Sequence, residues 1–378
     1  METSSRRQAI IAGGSVGGLM AAALLRAAGW EATVHERSPS SLSGRGGGLV
    51  LQGDVLRALR RADIGWTGMP GVTTVERIWL DASDAVVRRA HMPQTQTSWN
   101  ALYGVLRAAQ PDGSMHAGSA VADYTQNEDG IDVRFASGAT ARADLLVGAD
   151  GARSSVRARM FPAAAPSYAG YVAWRGLVPE RDLPAAFVER FDHAFVFQHG
   201  ARHQLLAYPV PGADGATAAG ARRWNWVWYR RVAAGAALAG VLTDRDGRAH
   251  AASLPPGAMP AAQADALRAD GRALLAPSLR LLLDATAEPF VQVIADLQAP
   301  GMRDGRAVLL GDAAAVVRPH TAAGTAKAAA DALALAAALR CGYADAALAA
   351  WERERMAAAR ETGRWGIELG IGMMGAPD

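Results

Sequence analysis

Cysteine and lysine are almost absent from this chain: Cys341 is the single cysteine, and Lys327 is the one lysine among 39 lysine and arginine residues. A lone thiol excludes a disulfide framework and any multi-cysteine metal site, so no metal is expected. Net charge is small as well, formally +3 in 378 residues. No basic run is interleaved with aromatics, and nucleic acid is therefore not an expected partner. Long apolar runs are missing too. The Ala-rich stretch 322–339 is interrupted by Lys327 and Asp331 and reads as a buried helix, so no membrane partner is expected. The short polar stretch Met1–Gln8 lacks the apolar core of a signal peptide, and a cytoplasmic enzyme is the expectation.

What is present is a globular balance, half hydrophobic and a fifth charged, on a chain long enough for two domains or one with a large insertion. Residues 10–37, IIAGGSVGGLMAAALLRAAGWEATVHER, run from a short apolar strand through a glycine cluster into an Ala/Leu-rich helix, a second strand and an acid. Bare backbone in such a loop lets a pyrophosphate approach the N–H groups and positive end of the helix. The pattern departs from G-x-G-x-x-G, because Gly13 and Gly18 flank Ser15 at the second glycine position. Ser15 adds a small hydroxyl able to bond a phosphate oxygen. Glu36, at the end of the second strand, is placed to accept from a ribose 2′-OH. This loop alone leaves NAD and FAD open.

Further along, 75–90 and 118–147 read as strand pairs, the latter around a Ser137–Gly138 turn. Residues 166–230 hold short aromatic strands with Pro/Gly turns and read as an antiparallel sheet. Helical runs follow in 255–284, GRAVLLGDAA returns to a buried strand, and 324–363 is mostly helical. Nucleotide-binding elements thus flank an inserted sheet.

Two later stretches decide the cofactor. LLVGADGARSSVR (145–157) and VLLGDAAAVVRPHTAAGTAKAAADA (308–332) resemble the Asp-Gly and Gly-Asp signatures of single-component FAD-dependent aromatic hydroxylases, the para-hydroxybenzoate hydroxylase-fold family. With the N-terminal loop they occur in family order, and the resemblance covers nearly the whole chain. TSWNALYGVLRA, YVAWRGLVPE, AYPVPG and NWVWYR look like the 2,6-dihydroxypyridine 3-hydroxylase branch, where Ser at the second glycine position is tolerated. The resemblance implies an α/β fold with a Rossmann-like FAD-binding domain over 1–72, 92–165 and 286–378. It implies an inserted, mainly antiparallel substrate domain over 73–91 and 166–285, and a C-terminal helix. FAD is the implied cofactor and NADH or NADPH a transient co-substrate, docking near Arg45 in the run GRGGG. Asp312 is expected at the ribityl hydroxyls, and the helix start at Gly324, Thr325 and Ala326 beside the flavin ring. Arg37, Arg107 and Asp150 complete the expected cofactor contacts. Ala315, Trp99 and Ala326 depart from the His, Arg and Asn that many members carry there. Lys327, at that helix start, stands where the wider fork of arginine is a poor fit.

The implied reaction is hydroxylation of an electron-rich aromatic or N-heteroaromatic ring through a flavin C4a-hydroperoxide, with O₂ consumed. Alternatives are an epoxidase or oxidative-rearrangement monooxygenase on a larger natural product, and a flavin-binding sensor without catalysis. A flavin-dependent halogenase is excluded, because Ile-Pro is missing after the Trp224–Trp226 pattern and no early lysine exists. His193, His199, His203 and His320 are the natural acid–base candidates. His320, His203 and Tyr208 are the expected catalytic residues. Trp174, Phe195, Phe197, Tyr208, Trp228, Pro319 and His320 are the expected substrate contacts. Trp224, Trp226 and Trp228 share one face of their strand. Arg175 is the one arginine in these strands considered for an inward position, and a substrate carboxylate is not expected to be essential. Self-association into a homodimer is the protein partnership the reading leaves open.

Overall fold

The first apolar run forms a central strand of a six-stranded sheet. The computed structural model describes residues 7–43, 46–66 and 68–376. In it β1 (Gln8–Ala12) leads into α1 (Val16–Ala27), which crosses over to a parallel β2 (Glu31–Glu36). β1 is buried without alternation from Ala9 to Ala12, as expected of a strand covered on both faces. The sheet order is Arg303–Asp304, Ala307–Leu309, Leu145–Gly148, β1, β2, Met115–Ala117, parallel throughout except at the first pair. Strands far apart in sequence therefore end side by side. The helix Gly324–Ala338 packs its alanines against α1 in the same core, as the Ala-rich stretch suggested.

The aromatic strands form a second, larger sheet. Its path is Ser253–Leu254, Phe290–Gln298, Ser167–Pro179, Arg223–Arg231, His203–Val210, Ala194–Gly200, Val72–Leu80, Val86–Ser98 and Gly48–Val50. Pairing along it is antiparallel except between Ala194–Gly200 and Val72–Leu80. Trp224, Trp226 and Trp228 do share one face, and none is measurably exposed. They pack with Trp174 under the helices Ala185–Phe191, Ala261–Leu274 and Pro277–Asp284. The opposite face carries Arg175, Tyr208, Asn225, Val227, Tyr229 and Gln292, by register and strand alternation.

The strand pair expected at 75–90 is longer, Val72–Leu80 with Val86–Ser98. Gly48–Val50 and Phe290–Gln298 join this sheet from stretches assigned by sequence to the nucleotide-binding part. Two short helices, Gly53–Arg61 and Trp99–Ala108, were not singled out from the sequence. The second begins where Ser98 Oγ accepts from the Ala101 N–H at 3.1 Å, a cap that ends the long strand. A three-stranded meander, 121–143, turns at Gly138. The C-terminal helix Asp345–Met374 ties both bodies together, with Trp351 in the first core and Met374 beside Tyr171 and Tyr229. No helix among the described residues is long and apolar enough to cross a membrane.

Trp226 is completely buried, and its Nε1 donates to Thr286 Oγ1 at 2.8 Å. Trp226→Ala should lower unfolding free energy by about 3–5 kcal/mol, through lost burial and a residual cavity. Urea unfolding followed by circular dichroism checks this value.

Candidate functional site

Ligands of open α/β sheets lie off the carboxyl ends of the strands, and a cleft of about 750 Å³ opens there. At its floor the chain leaves β1 through Gly13, at φ +106°, where a Cβ would stand 2.8 Å from the Asp150 Cα. Only glycine lets these two backbones touch. Gly18, expected as a cofactor contact, does not line the cleft. A Cβ there would run into the Gly13 carbonyl, so Gly18 instead lets α1 sit against the strand end. Ser15 occupies the α1 N-cap, lines the cleft and makes no capping hydrogen bond. Its hydroxyl is left for a ligand.

Glu36 closes this end. Its Oε2 accepts from the Gly14 N–H and its Oε1 from the Ser38 N–H, both at 2.8 Å. Each oxygen keeps acceptor capacity for a ribose hydroxyl. Arg37 lies on the same rim. His35, which the sequence reading passed over, also lines the cleft, its ring stacked on His116 at 4.6 Å and Phe135 at 4.4 Å. Burial first, and His116 second, lower its pKa to about 4. His35 is thus a neutral aromatic surface at ordinary pH.

The strand Leu145–Gly148 delivers Asp150 to the cleft wall. Asp150 Oδ2 accepts from the Ser155 N–H at 2.7 Å and its hydroxyl at 3.1 Å, while Oδ1 is buried without a partner. Trp99 forms another wall, stacked on Tyr103 at 4.8 Å. Arg107 lies two turns further down the same helix, roughly 12 Å along its axis. It is exposed, donates to Tyr103 Oη at 3.2 Å and does not reach the cleft, which corrects its expected cofactor contact.

Asp312 projects into the cleft opposite. The surrounding protein raises its carboxyl pKa, Asp331 adds to the rise and Lys327 pulls it down, but the side chain is exposed in the open cleft, where solvent tempers all three. Gly324 and Thr325 line the cleft at the start of their helix, whose first-turn N–H groups receive no side-chain cap. Ala326 does not line it; its small side chain turns into the core, 5% exposed. Arg45 lies outside the described residues.

At its inner end the cleft reaches the second sheet through Arg175 and Gln292. Arg175 Nη1 donates to Gln292 Oε1 at 2.9 Å, and the Gly48 N–H donates to Asn225 Oδ1 at 2.8 Å. Arg175 Nε and Asn225 Nδ2 are buried without partners. Tyr208 shares this face, packed with Phe195 and Phe197, its pKa pushed up to about 12 by burial against the pull of Arg175. Arg175 therefore faces the cleft, the position left open from sequence.

His320 sits on the short turn Pro319–Thr321, with Pro319 exposed. Its Nε2 lies 2.8 Å from Tyr171 Oη, its ring stands edge-on to Tyr229 at 4.5 Å, and its Nδ1 is buried without a partner. Burial, then Arg318, lowers its pKa to about 4. Trp174, Trp228 and His203 are corrections. All three point to the far face of the sheet, where the helices cover them, and Trp228 Nε1 donates to His203 Nδ1 at 3.2 Å. His193 and His199 lie at the surface.

The cleft suits a dinucleotide: glycine backbone where a Cβ cannot fit, an acid at one end, and the unpartnered Oδ1 of Asp150 on its wall. The FAD binding domain-like family model matches residues 168–296. Over 338 residues the chain is 34% identical to a 2,6-dihydroxypyridine 3-monooxygenase of Paenarthrobacter nicotinovorans, covering 89% of this chain and 83% of that one. It is 25% identical to a 6-hydroxynicotinate 3-monooxygenase of Pseudomonas fluorescens over 89% and 83% of the two chains. The solved structure of 2,6-dihydroxypyridine-3-hydroxylase from Arthrobacter nicotinovorans superposes with a TM-score of 0.92, at 30% identity and with 98% and 93% coverage. This agreement in sequence and fold, along nearly the full length, makes the chain a member of the FAD-dependent aromatic hydroxylases.

Proposed function

We propose that this monooxygenase hydroxylates a small, planar, hydroxylated pyridine-type ring, with 2,6-dihydroxypyridine the first candidate, at the inner end of the cleft. The carrying observation is continuity: one cleft begins at the glycine loop and ends on Arg175 and Gln292 of the aromatic sheet. FAD bound there supplies the reduction by NAD(P)H and the activation of O₂. The backbone at Gly13, with Ser15, receives the pyrophosphate, and Glu36 the adenosine ribose, with Arg37 and Asp150 at the rim. Asp312 binds the ribityl hydroxyls, and the open N–H groups at Gly324 and Thr325 stabilise negative charge on the reduced ring.

Arg175, braced by Gln292, directs its unpartnered Nε at a substrate hydroxyl or its anion. Tyr208 stays neutral below about pH 12 and donates from the same face. Phe195 and Phe197 back it with apolar surface, Phe197 stacked on Trp79 at 5.3 Å. With His320 Nε2–H donated to Tyr171, Nδ1 is the free acceptor and takes the substrate's hydroxyl proton, raising electron density on the ring. Pro319 fixes the backbone ahead of His320. The reading includes an FAD-binding part discontinuous over 1–72, 92–165 and 286–378, which lends Gly48–Val50, the end of Val86–Ser98 and Phe290–Gln298 to the inserted sheet, a cytoplasmic setting and a homodimer.

A panel of hydroxypyridines, phenols and benzoates, with NAD(P)H loss and product followed together, tests the substrate class. Hydroxypyridines should give coupled product, and turnover confined to non-aromatic compounds would sink the reading. Arg175→Met should raise KM for the preferred ring about tenfold or more, with FAD occupancy unchanged; an unchanged KM removes Arg175 from the site. Glu36→Arg and Gly13→Val should each purify without the yellow chromophore, whereas full flavin absorbance in both would refute the loop assignment.

His320 carries a pH signature. Its folded pKa of about 4 lies below the ordinary 6.5. As pH falls through 6.5 the unfolded chain takes up the proton first, so stability is lost between about pH 6.5 and 4 and is unaffected above. His320→Gln should lose less stability than the wild type over that window in urea titrations, and equal losses would contradict this burial-driven shift.

A further inference from the structure

Lys327, the chain's one lysine, is buried in the first turn of the helix Gly324–Ala338, where only 6% of it is exposed. Its Nζ donates to the Gly311 carbonyl at 2.7 Å and lies 3.4 Å from Asp331 Oδ2, one helical turn on. The same Asp331 oxygen accepts from the Gly311 N–H at 3.0 Å. One ion pair therefore grips both backbone groups of Gly311. That residue needs gripping, because it takes the left-handed region at φ +58° and aims the next side chain, Asp312, into the cleft.

The C-terminal helix backs the pair. Arg355 Nε donates to Asp331 Oδ1 at 2.7 Å, and Trp351 Nε1 donates to the Asp331 carbonyl at 3.1 Å. Arg355 also meets Glu354 at 3.6 Å, out in solvent. Inside the protein, Asp331 serves two cations, Lys327 and Arg355. A buried ammonium sharing its only contacting carboxylate is poorly compensated. Asp312, the residue after Gly311, is exposed to the cleft, and the charge of Lys327 pulls its carboxyl pKa down against the rise its surroundings cause. An arginine could not stand in. Its planar fork carries five donors, and Lys327 reaches a single carbonyl and a single carboxylate in closed surroundings.

We propose that Lys327 is a positioning residue of the FAD site: it fixes the Gly311 turn and so directs Asp312 at the cofactor chain. The inference rests on the reading of Asp312 as a cofactor contact, and the experiment separates the two. FAD dissociation constants are measured by release from the holoenzyme across about pH 5 to 9. The proteins are the wild type, Lys327→Met, Asp312→Asn and the double variant. Lys327→Met should weaken FAD about ten- to a hundredfold at neutral pH. It should also move the pH inflection of affinity upward, because Asp312 then takes its proton at higher pH. In the Asp312→Asn background the same substitution should change affinity less than about threefold, since coupled residues are not additive. Equal losses in both backgrounds, or an unmoved pH profile, would overturn the proposal and leave the Asp312 contact standing. An unchanged affinity in Asp312→Asn would remove that contact and the proposal together.

A second readout needs no change at Lys327. Protein labelled with ¹³C-lysine gives one side-chain lysine resonance, because the chain has one lysine. Asp312→Asn should shift that resonance. A signal indifferent to residue 312 would contradict the proposed coupling even if Lys327→Met fails to fold.

Discussion

One close approach of two backbones governs this protein. Gly13, at the end of β1, lies so near Ala149 and Asp150 that a side chain has no room between them. Because β1 and Leu145–Gly148 are hydrogen-bonded parallel neighbours, both chains leave the sheet at the same end. The cleft opens there, with Asp150 on one wall and the α1 N-terminus on the other. The Ala307–Leu309 strand, next in the same sheet, brings Asp312 to the third side. Register in one parallel sheet thus assembles contacts from residues 13, 150 and 312.

The second sheet solves a different problem, that of offering one wet face and one dry face. Helices cover the tryptophan face and make it a core. The other face meets the cleft at Arg175 and Gln292 and carries Asn225 and Tyr208 as well, with Arg175 Nε and Asn225 Nδ2 unpartnered. Unspent polar atoms in buried surroundings are costly unless a ligand answers them. On the proposed reading, their concentration where the cleft ends gives the site its direction, cofactor at one end and ring at the other.

Local chemistry was readable in the sequence, and tertiary choice was not. The βαβ start, the glycine loop, Glu36, Asp150 and Asp312 are set by short-range pattern, and all five line or build the cleft. Period-two alternation told which residues of NWVWYR share a face, yet not which face the helices of 185–191 and 261–284 would cover. From sequence, Trp228 and Tyr208 both read as substrate contacts, although they lie on opposite faces. His203 failed with Trp228, its hydrogen-bond partner. Arg107 failed for a simpler reason, helical rise, which carries it past the cleft that Trp99 lines. Arg175 and His35 were hidden because one arginine or histidine among aromatics has no pattern of its own.

The most direct test of the account is the fate of molecular oxygen. With ¹⁸O₂, NAD(P)H and 2,6-dihydroxypyridine, the account predicts a ring-hydroxylated product carrying a single ¹⁸O atom, formed in proportion to the NAD(P)H consumed. Product oxygen drawn from water, or NAD(P)H oxidation that yields only hydrogen peroxide across all hydroxylated rings, would contradict it.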